Sequence, residues 1–200
     1  MKISSAKDII LSENAEWTRI MSEENDKQSL LRYGMVLILI AYALMFVLSL
    51  LFTMNVALIG AFSTTYIITS VVIQFALGIA SLYFIPAILA ALAPSFGGKN
   101  DSMSALKLFV FAATPSWIGT AVSRIPVLGW LVALAGAIYA IYLFWQHVAE
   151  AMSIPAEKKV GYVIVSVVVL AVIFFVIGAI GAGIATMVSP VSVYHIGPTY

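Results

Sequence analysis

The residue types best suited to chemistry in this sequence are His147 and Glu150, which lie three positions apart. On a helix this spacing places both side chains on one face, where an imidazole and a carboxylate can share a metal ion or a proton. One such pair supplies two ligands at most, whereas di-iron bundles combine two copies with further carboxylates. Cysteine is absent, His195 is the only other histidine, and neither an H-E-x-x-H nor a G-x-S-x-G motif occurs. We interpret the pair as a polar pair at the end of a membrane span, and we predict no catalytic site, no metal and no cofactor.

Gln74 is the second candidate, because it is the one strongly polar side chain deep within a long apolar segment. An unpaired amide in hydrocarbon is costly, so we predict an interhelical hydrogen bond, with the lining of a pore as the alternative. No Asp, Glu, Lys or Arg lies at the centre of such a segment, which argues against proton-coupled transport and voltage sensing. A small solute or ion transporter or channel, or a lipid-transfer or scrambling protein, stays open as the alternative function.

Long apolar segments must position these side chains. Mean hydropathy is +1.07 and charged residues make up 10 % of the chain, against about 25 % in soluble domains. A bilayer core of roughly 30 Å needs about 20 apolar residues per helix. Five segments are long and apolar enough to meet this requirement: Tyr33–Phe52, Tyr66–Ala93, Leu106–Arg124, Val127–Ala149 and Val160–Val188. The predicted fold class is therefore an all-α, polytopic membrane protein with five transmembrane helices, kinked at prolines.

The N-terminal segment, residues 1–31, carries ten of the nineteen charges of the chain. Apolar residues around Trp17 fall near one side of a helix, which predicts a short cytoplasmic amphipathic helix. That helix packs on the membrane face of its own protein or, alternatively, docks a partner or lipid headgroups. The chain thus divides into this cytoplasmic segment, a membrane domain at 32–188 and a short extracytoplasmic tail at 189–200.

The positive residues predict the orientation. With five spans, nine of the ten Lys and Arg residues lie on the side of the N-terminus and only Arg124 lies on the other. The positive-inside rule then places the N-terminus in the cytoplasm and the C-terminus outside. The net charge of +1 provides no field for nucleic acid, so the lipid bilayer is the expected partner and nucleic acid is not.

Three groups of residues suit contact rather than catalysis. The segment Pro94–Gly98 predicts a tight turn with Phe96 anchored at the interface, and its paired glycines would let a partner or headgroup approach the backbone. Pro115 predicts a structural kink or a ligand-facing break, and Trp117 either anchors at an interface or packs inside. Small residues at four-residue spacing in the last two spans favour packing within one chain, with contact in a homo-oligomer as the alternative.

Sequence blocks follow one another in the order Ala91–Gly98, Ala105–Leu108, Ala113–Trp117, Ile125–Tyr142 and Ile154–Tyr162. They resemble the bacterial branch of the Ypt-interacting-protein (Yip) family. The resemblance implies five spans with a cytoplasmic N-terminus, in agreement with hydropathy and charge, and a bacterial cytoplasmic (inner) membrane. Relatives in eukaryotes are membrane-trafficking proteins that contact Rab-type GTPases.

The resemblance and the residues together predict a non-enzymatic membrane organiser or adaptor. Its expected partners are the bilayer, other membrane proteins and, through the small-residue faces, a second copy of the chain. The candidate contacts to a partner or lipid are Trp17, Pro94, Phe96, Gly97, Gly98, Pro115, Trp117, Lys158 and Tyr162, and the candidate intramembrane polar residue is Gln74.

Overall fold

The computed structural model describes Trp17, residues 26–53 and residues 64–188. The helices in these ranges are α1 (Lys27–Thr53), α2 (Thr64–Leu92), α3 (Ser102–Val122), α4 (Leu128–Met152) and α5 (Ala156–Val188), with a short 3-10 helix at Ala93–Phe96 directly after α2. All five α-helices are long and apolar enough to cross a membrane, and the described ranges contain no strand. The predicted all-α, five-span fold is confirmed. The predicted N-terminal helix, apart from Trp17, and the tail at 189–200 with His195 lie outside the described residues.

Helices dominate because hydrocarbon offers backbone groups no hydrogen-bond partner outside the segment itself. Capping chemistry then decides where two of them begin. The Asp101 carboxylate accepts hydrogen bonds from the backbone N–H groups of Met103 (2.9 Å) and Ser104 (3.2 Å), so α3 begins at Ser102 rather than at the predicted Leu106.

The last helix also begins earlier than predicted, at Ala156 instead of Val160. Pro155 directly precedes its first residue, and Glu157 lies in its first turn, where a negative charge stabilises the positive end of the helix dipole. Lys158 therefore belongs to the start of α5. The connection between α4 and α5 shrinks to residues 153–155.

The centre of the bundle is α3. Two thirds of its most apolar window (67 %) is buried, against at most 28 % in any of the other four helices. It packs against α1, α2 and α4, while α5 packs mainly against α2. The most hydrophobic helices thus face lipid, and the least apolar of the five lies inside.

Glycine permits the closest helix contact, which joins α3 and α4. A Cβ on Gly136 would lie 2.5 Å from the main-chain oxygen of Pro115, and one on Gly119 would lie 2.9 Å from the Cα of Ala133. The small residues of α4 therefore pack within one chain, as predicted, whereas a Cβ on Gly178 or Gly183 of α5 would meet no atom of another helix within 4 Å. Helix α3 continues through Pro115 and α2 through Pro86; the predicted kinks at both positions stay predictions.

Candidate functional site

The loop after α2 and the loop after α4 pack against each other at one end of the bundle. The 3-10 turn ends at Gly97, whose φ of 79° lies in the left-handed region that favours glycine. The N–H of Gly97 donates to the oxygen of Pro94 (3.0 Å), and that of Gly98 donates to the oxygen of Ala93 (2.9 Å). One further bond joins the first loop to the end of α4, from the N–H of Lys99 to the oxygen of Met152 (3.0 Å).

Gly98 is the residue that permits this contact between loops. A Cβ there would lie 2.7 Å from the oxygen of Met152 and 3.0 Å from a side-chain carbon of Ile154. Real Cβ atoms essentially never approach an oxygen so closely. We call the combined surface of residues 94–99 and 153–158 the loop platform. It contains five of the predicted contact residues: Pro94, Phe96, Gly97, Gly98 and Lys158.

An aromatic layer supports the loop platform from below. The Tyr162 ring is fully buried, meets the edge of Phe96 at a centroid distance of 5.6 Å and stacks with Phe144 at 6.4 Å. Its hydroxyl donates to the backbone oxygen of Leu89 at 2.8 Å. Tyr162 was predicted as a partner contact; the structure places it beneath the platform, where it fastens α5 to the last turn of α2.

The outer face of the loop platform carries the charged side chains of Lys99, Glu157 and Lys158. Pro94, Gly97, Lys99 and Lys158 are exposed, and the Lys158 ammonium would lie 3.8 Å from a Cβ on Gly97. Beside them, hydrogen bonds from the Ser104 hydroxyl and from backbone N–H groups hold the pKa of the Asp101 carboxyl below its ordinary value. That carboxylate therefore stays ionised at the start of α3.

Trp17 packs into the interior of the bundle rather than facing outward. Its side chain is 1 % exposed, and its indole stacks on the imidazole of His147 with a centroid distance of 3.9 Å and an angle of 6°. The edge of Phe111 meets it at 6.3 Å. This contact fits the prediction that the N-terminal segment packs on its own protein, although the helix around Trp17 lies outside the described residues.

His147 and Glu150 lie in different environments. His147 is buried against Trp17, whereas Glu150 is exposed. Within the described residues no cluster of three or more His, Asp or Glu side chains could hold a metal ion. Sequence reasoning missed the stack because 130 positions separate its two members and no periodicity links them.

Gln74 lines a cavity of about 560 Å³ among α2, α3, α4 and α5, and Trp117 also lines it. The Gln74 amide nitrogen donates to the backbone oxygen of Ser70 at 3.2 Å. This bond lies within α2 and differs from the predicted interhelical one, because a carbonyl one turn back is the nearest acceptor. Pro115 is buried against α4, and the hydroxyl of Thr114 donates to the oxygen of Val110 (3.0 Å) rather than to the carbonyl that Pro115 leaves free.

Comparison with known proteins gives one match. A family model described as the Yip1 domain matches residues 7–179, which is most of the chain and all of the loop platform. The chain matches no curated protein and no solved structure.

Proposed function

Since the chain belongs to the Yip1 domain family, we propose that it is a non-enzymatic membrane organiser or adaptor that holds another membrane protein at the loop platform. The observation that carries the proposal is the bond from the Lys99 N–H to the oxygen of Met152, the last residue of α4, over the close approach of Gly98 to Met152 and Ile154. It joins two separate connections into one surface. We infer that this surface serves recognition rather than catalysis.

Preorganisation makes the loop platform suitable for binding. Loops usually lose conformational entropy when a partner orders them, and this loss weakens the complex. Here the turn at Gly97, the bond to Met152 and the aromatic layer around Tyr162 already fix the backbone. A partner would therefore bind exposed Pro94 and Lys158 at a reduced entropic cost.

The distribution of positive charge supports a cytoplasmic position for the loop platform. Lys99 and Lys158 lie at the platform end of the bundle, and Arg124 follows the other end of α3. The positive-inside rule assigns the end with more positive charge to the cytoplasm. On this proposal the N-terminus is cytoplasmic, the C-terminus is outside, and the membrane is the bacterial cytoplasmic membrane.

Site-specific photo-crosslinking in the native membrane tests the proposal. A photoreactive amino acid at Asn100 or at Glu157, both exposed beside or on the platform, should yield the same discrete adduct with one membrane protein. The matched control is Ile138, which is 60 % exposed on α4 between the two ends of that helix, and it should yield lipid adducts alone.

The adduct should also disappear when Gly98→Ala separates the two loops. Adducts of equal yield at all three positions would refute a specific surface. Loss of the adduct at only one of the two platform positions would show that the loops do not act together.

A further inference from the structure

The cavity beside Gln74 lies between α4 and α5, which contact each other far less than α4 contacts α3 or α5 contacts α2. Its lining includes Ile141 on α4 and Ala171, Phe174 and Gly178 on α5, all of them exposed at the side of the bundle. A space whose wall residues are exposed laterally is a cleft, and it opens where the helices face hydrocarbon. Whatever enters it comes from the membrane.

The polar side chains of this cleft lie from its middle, at Ser81, to one end. Counting about 1.5 Å per residue along each helix, Gln74 and Thr120 lie roughly 27 Å from the platform end, and Ser116 lies roughly 21 Å from it. Near the platform end the lining consists of Leu89, Phe109 and Phe144. The cleft is therefore amphipathic, with apolar walls toward the platform and hydrogen-bonding groups toward the opposite leaflet.

The polar groups retain capacity for a ligand. Ser81 and Thr120 direct their hydroxyl donors to backbone oxygens of their own helices, Gly78 (2.6 Å) and Ser116 (3.0 Å). Gln74 uses one amide hydrogen for Ser70. This leaves the second amide hydrogen of Gln74 as a donor into the cleft. An ester carbonyl is an acceptor that suits it.

We propose that this cleft binds one membrane lipid from the leaflet opposite the loop platform. An acyl chain lies between α4 and α5, and an ester carbonyl accepts a hydrogen bond from the Gln74 amide. The depth of Gln74 agrees with this assignment. The hydrocarbon core is roughly 30 Å thick, so a group about 27 Å from one end lies at the level of the ester groups of the opposite leaflet. The cavity volume of about 560 Å³ falls within the roughly 300–1,000 Å³ of small-molecule sites. The site is independent of the platform and of its partner.

An acyl chain is favoured over water or an empty cleft for two reasons. Apolar walls gain no hydrogen bonds from water, and a gap forfeits the dispersion contacts of every atom that lines it. The surrounding hydrocarbon fills such a gap without a desolvation cost. The hydrogen bonds at one end then distinguish a bound lipid from passing chains.

Photolabelling in vesicles of phosphatidylethanolamine and phosphatidylglycerol tests the proposal, with phosphatidylglycerol that carries a diazirine on one acyl chain as the probe. Adducts should map to α4 and α5 around Phe144 and Phe174. Ala171→Trp fills the mouth of the cleft and should abolish these adducts. Ala179→Trp, at an exposed position of the same helix outside the lining, should leave them unchanged.

The polar end is tested separately by Gln74→Leu, which keeps the apolar volume and removes the donor. It should lower the labelling at α4 and α5 about threefold, the equivalent of one intramembrane hydrogen bond. Labelling spread evenly over the lipid-facing surface, or the same labelling in Ala171→Trp as in the unmodified chain, would overturn the proposal. A Gln74→Leu protein that labels like the unmodified chain would overturn the assigned polar contact.

Discussion

Replacing Gly98 by alanine should separate the two halves of the loop platform. The added Cβ would lie 2.7 Å from the oxygen of Met152, whereas ordinary contacts begin at 3.4 Å. Relieving the overlap moves the loops apart by about 0.7 Å, and this breaks the bond from Lys99, which is now 3.0 Å long. The φ of Gly98 is not in the left-handed region, so the effect is steric rather than conformational.

The cost of this substitution can be worked out from its parts. Overpacking lowers the stability by about 1–3 kcal/mol, and the lost hydrogen bond lowers it by about 1 kcal/mol. Alanine also reduces the conformational entropy of the unfolded chain, which raises the stability by about 0.4–1 kcal/mol. We expect the free energy of unfolding to fall by about 2 kcal/mol, measured by denaturant titration in mild detergent. The control is Gly183→Ala on α5, where the added Cβ would meet no heavy atom within 4 Å apart from the neighbouring backbone of its own helix. A Gly98→Ala protein as stable as this control would show that the added Cβ does not force the loops apart.

Further predictions concern three residues that stabilise the bundle, Tyr162, Asp101 and Trp17, and the activity of the protein. Tyr162→Phe removes the buried hydrogen bond to α2 and should cost about 1 kcal/mol, whereas Tyr83→Phe, which faces lipid at 49 % exposure, should cost nothing measurable by the same titration. Asp101→Ala removes the cap of α3 and should cost about 1 kcal/mol. Because folding lowers the pKa of Asp101, its contribution should be complete above the ordinary pKa of an aspartate and should be lost as the pH falls through the lowered pKa; stability of the unmodified chain relative to Asp101→Asn, measured against pH, checks this. Trp17→Ala should lower the melting temperature in detergent, and Trp130→Ala, at 59 % exposure, should not. Purified protein in liposomes should release a panel of trapped solutes no faster than empty liposomes, and selective release of one of them would favour the transporter alternative.

Hydropathy and charge predicted the architecture because a bilayer imposes one strong rule. Each span needs about 20 apolar residues with internally bonded backbone, and this rule is local in sequence. The residues at which the helices begin were harder to predict. Asp101 moves the start of α3 toward the N-terminus through capping, and Glu157 with Pro155 does the same for α5, although both segments are polar.

The candidate site was predictable only in its parts. The turn at Gly97 and the close approach at Gly98 follow from the types of residue, but the partner of Gly98 is Met152, which no local pattern identifies. Nothing in the sequence around Tyr162 indicates that its hydroxyl donates a hydrogen bond to the backbone oxygen of Leu89. Gln74 took the nearest backbone acceptor in its own helix, because a local bond needs no particular neighbouring helix.

We propose that the two loops form one surface on the cytoplasmic side of the membrane, and cysteine labelling tests both parts of this statement. The chain contains no cysteine, so single cysteines at Asn100, Glu157 and Arg124 can be labelled without background by a membrane-impermeant maleimide. We predict that the first two are labelled only after the membrane is permeabilised, and that the third is labelled in intact cells. Labelling of Asn100 and Glu157 from opposite sides, or of both in intact cells, would contradict the claim.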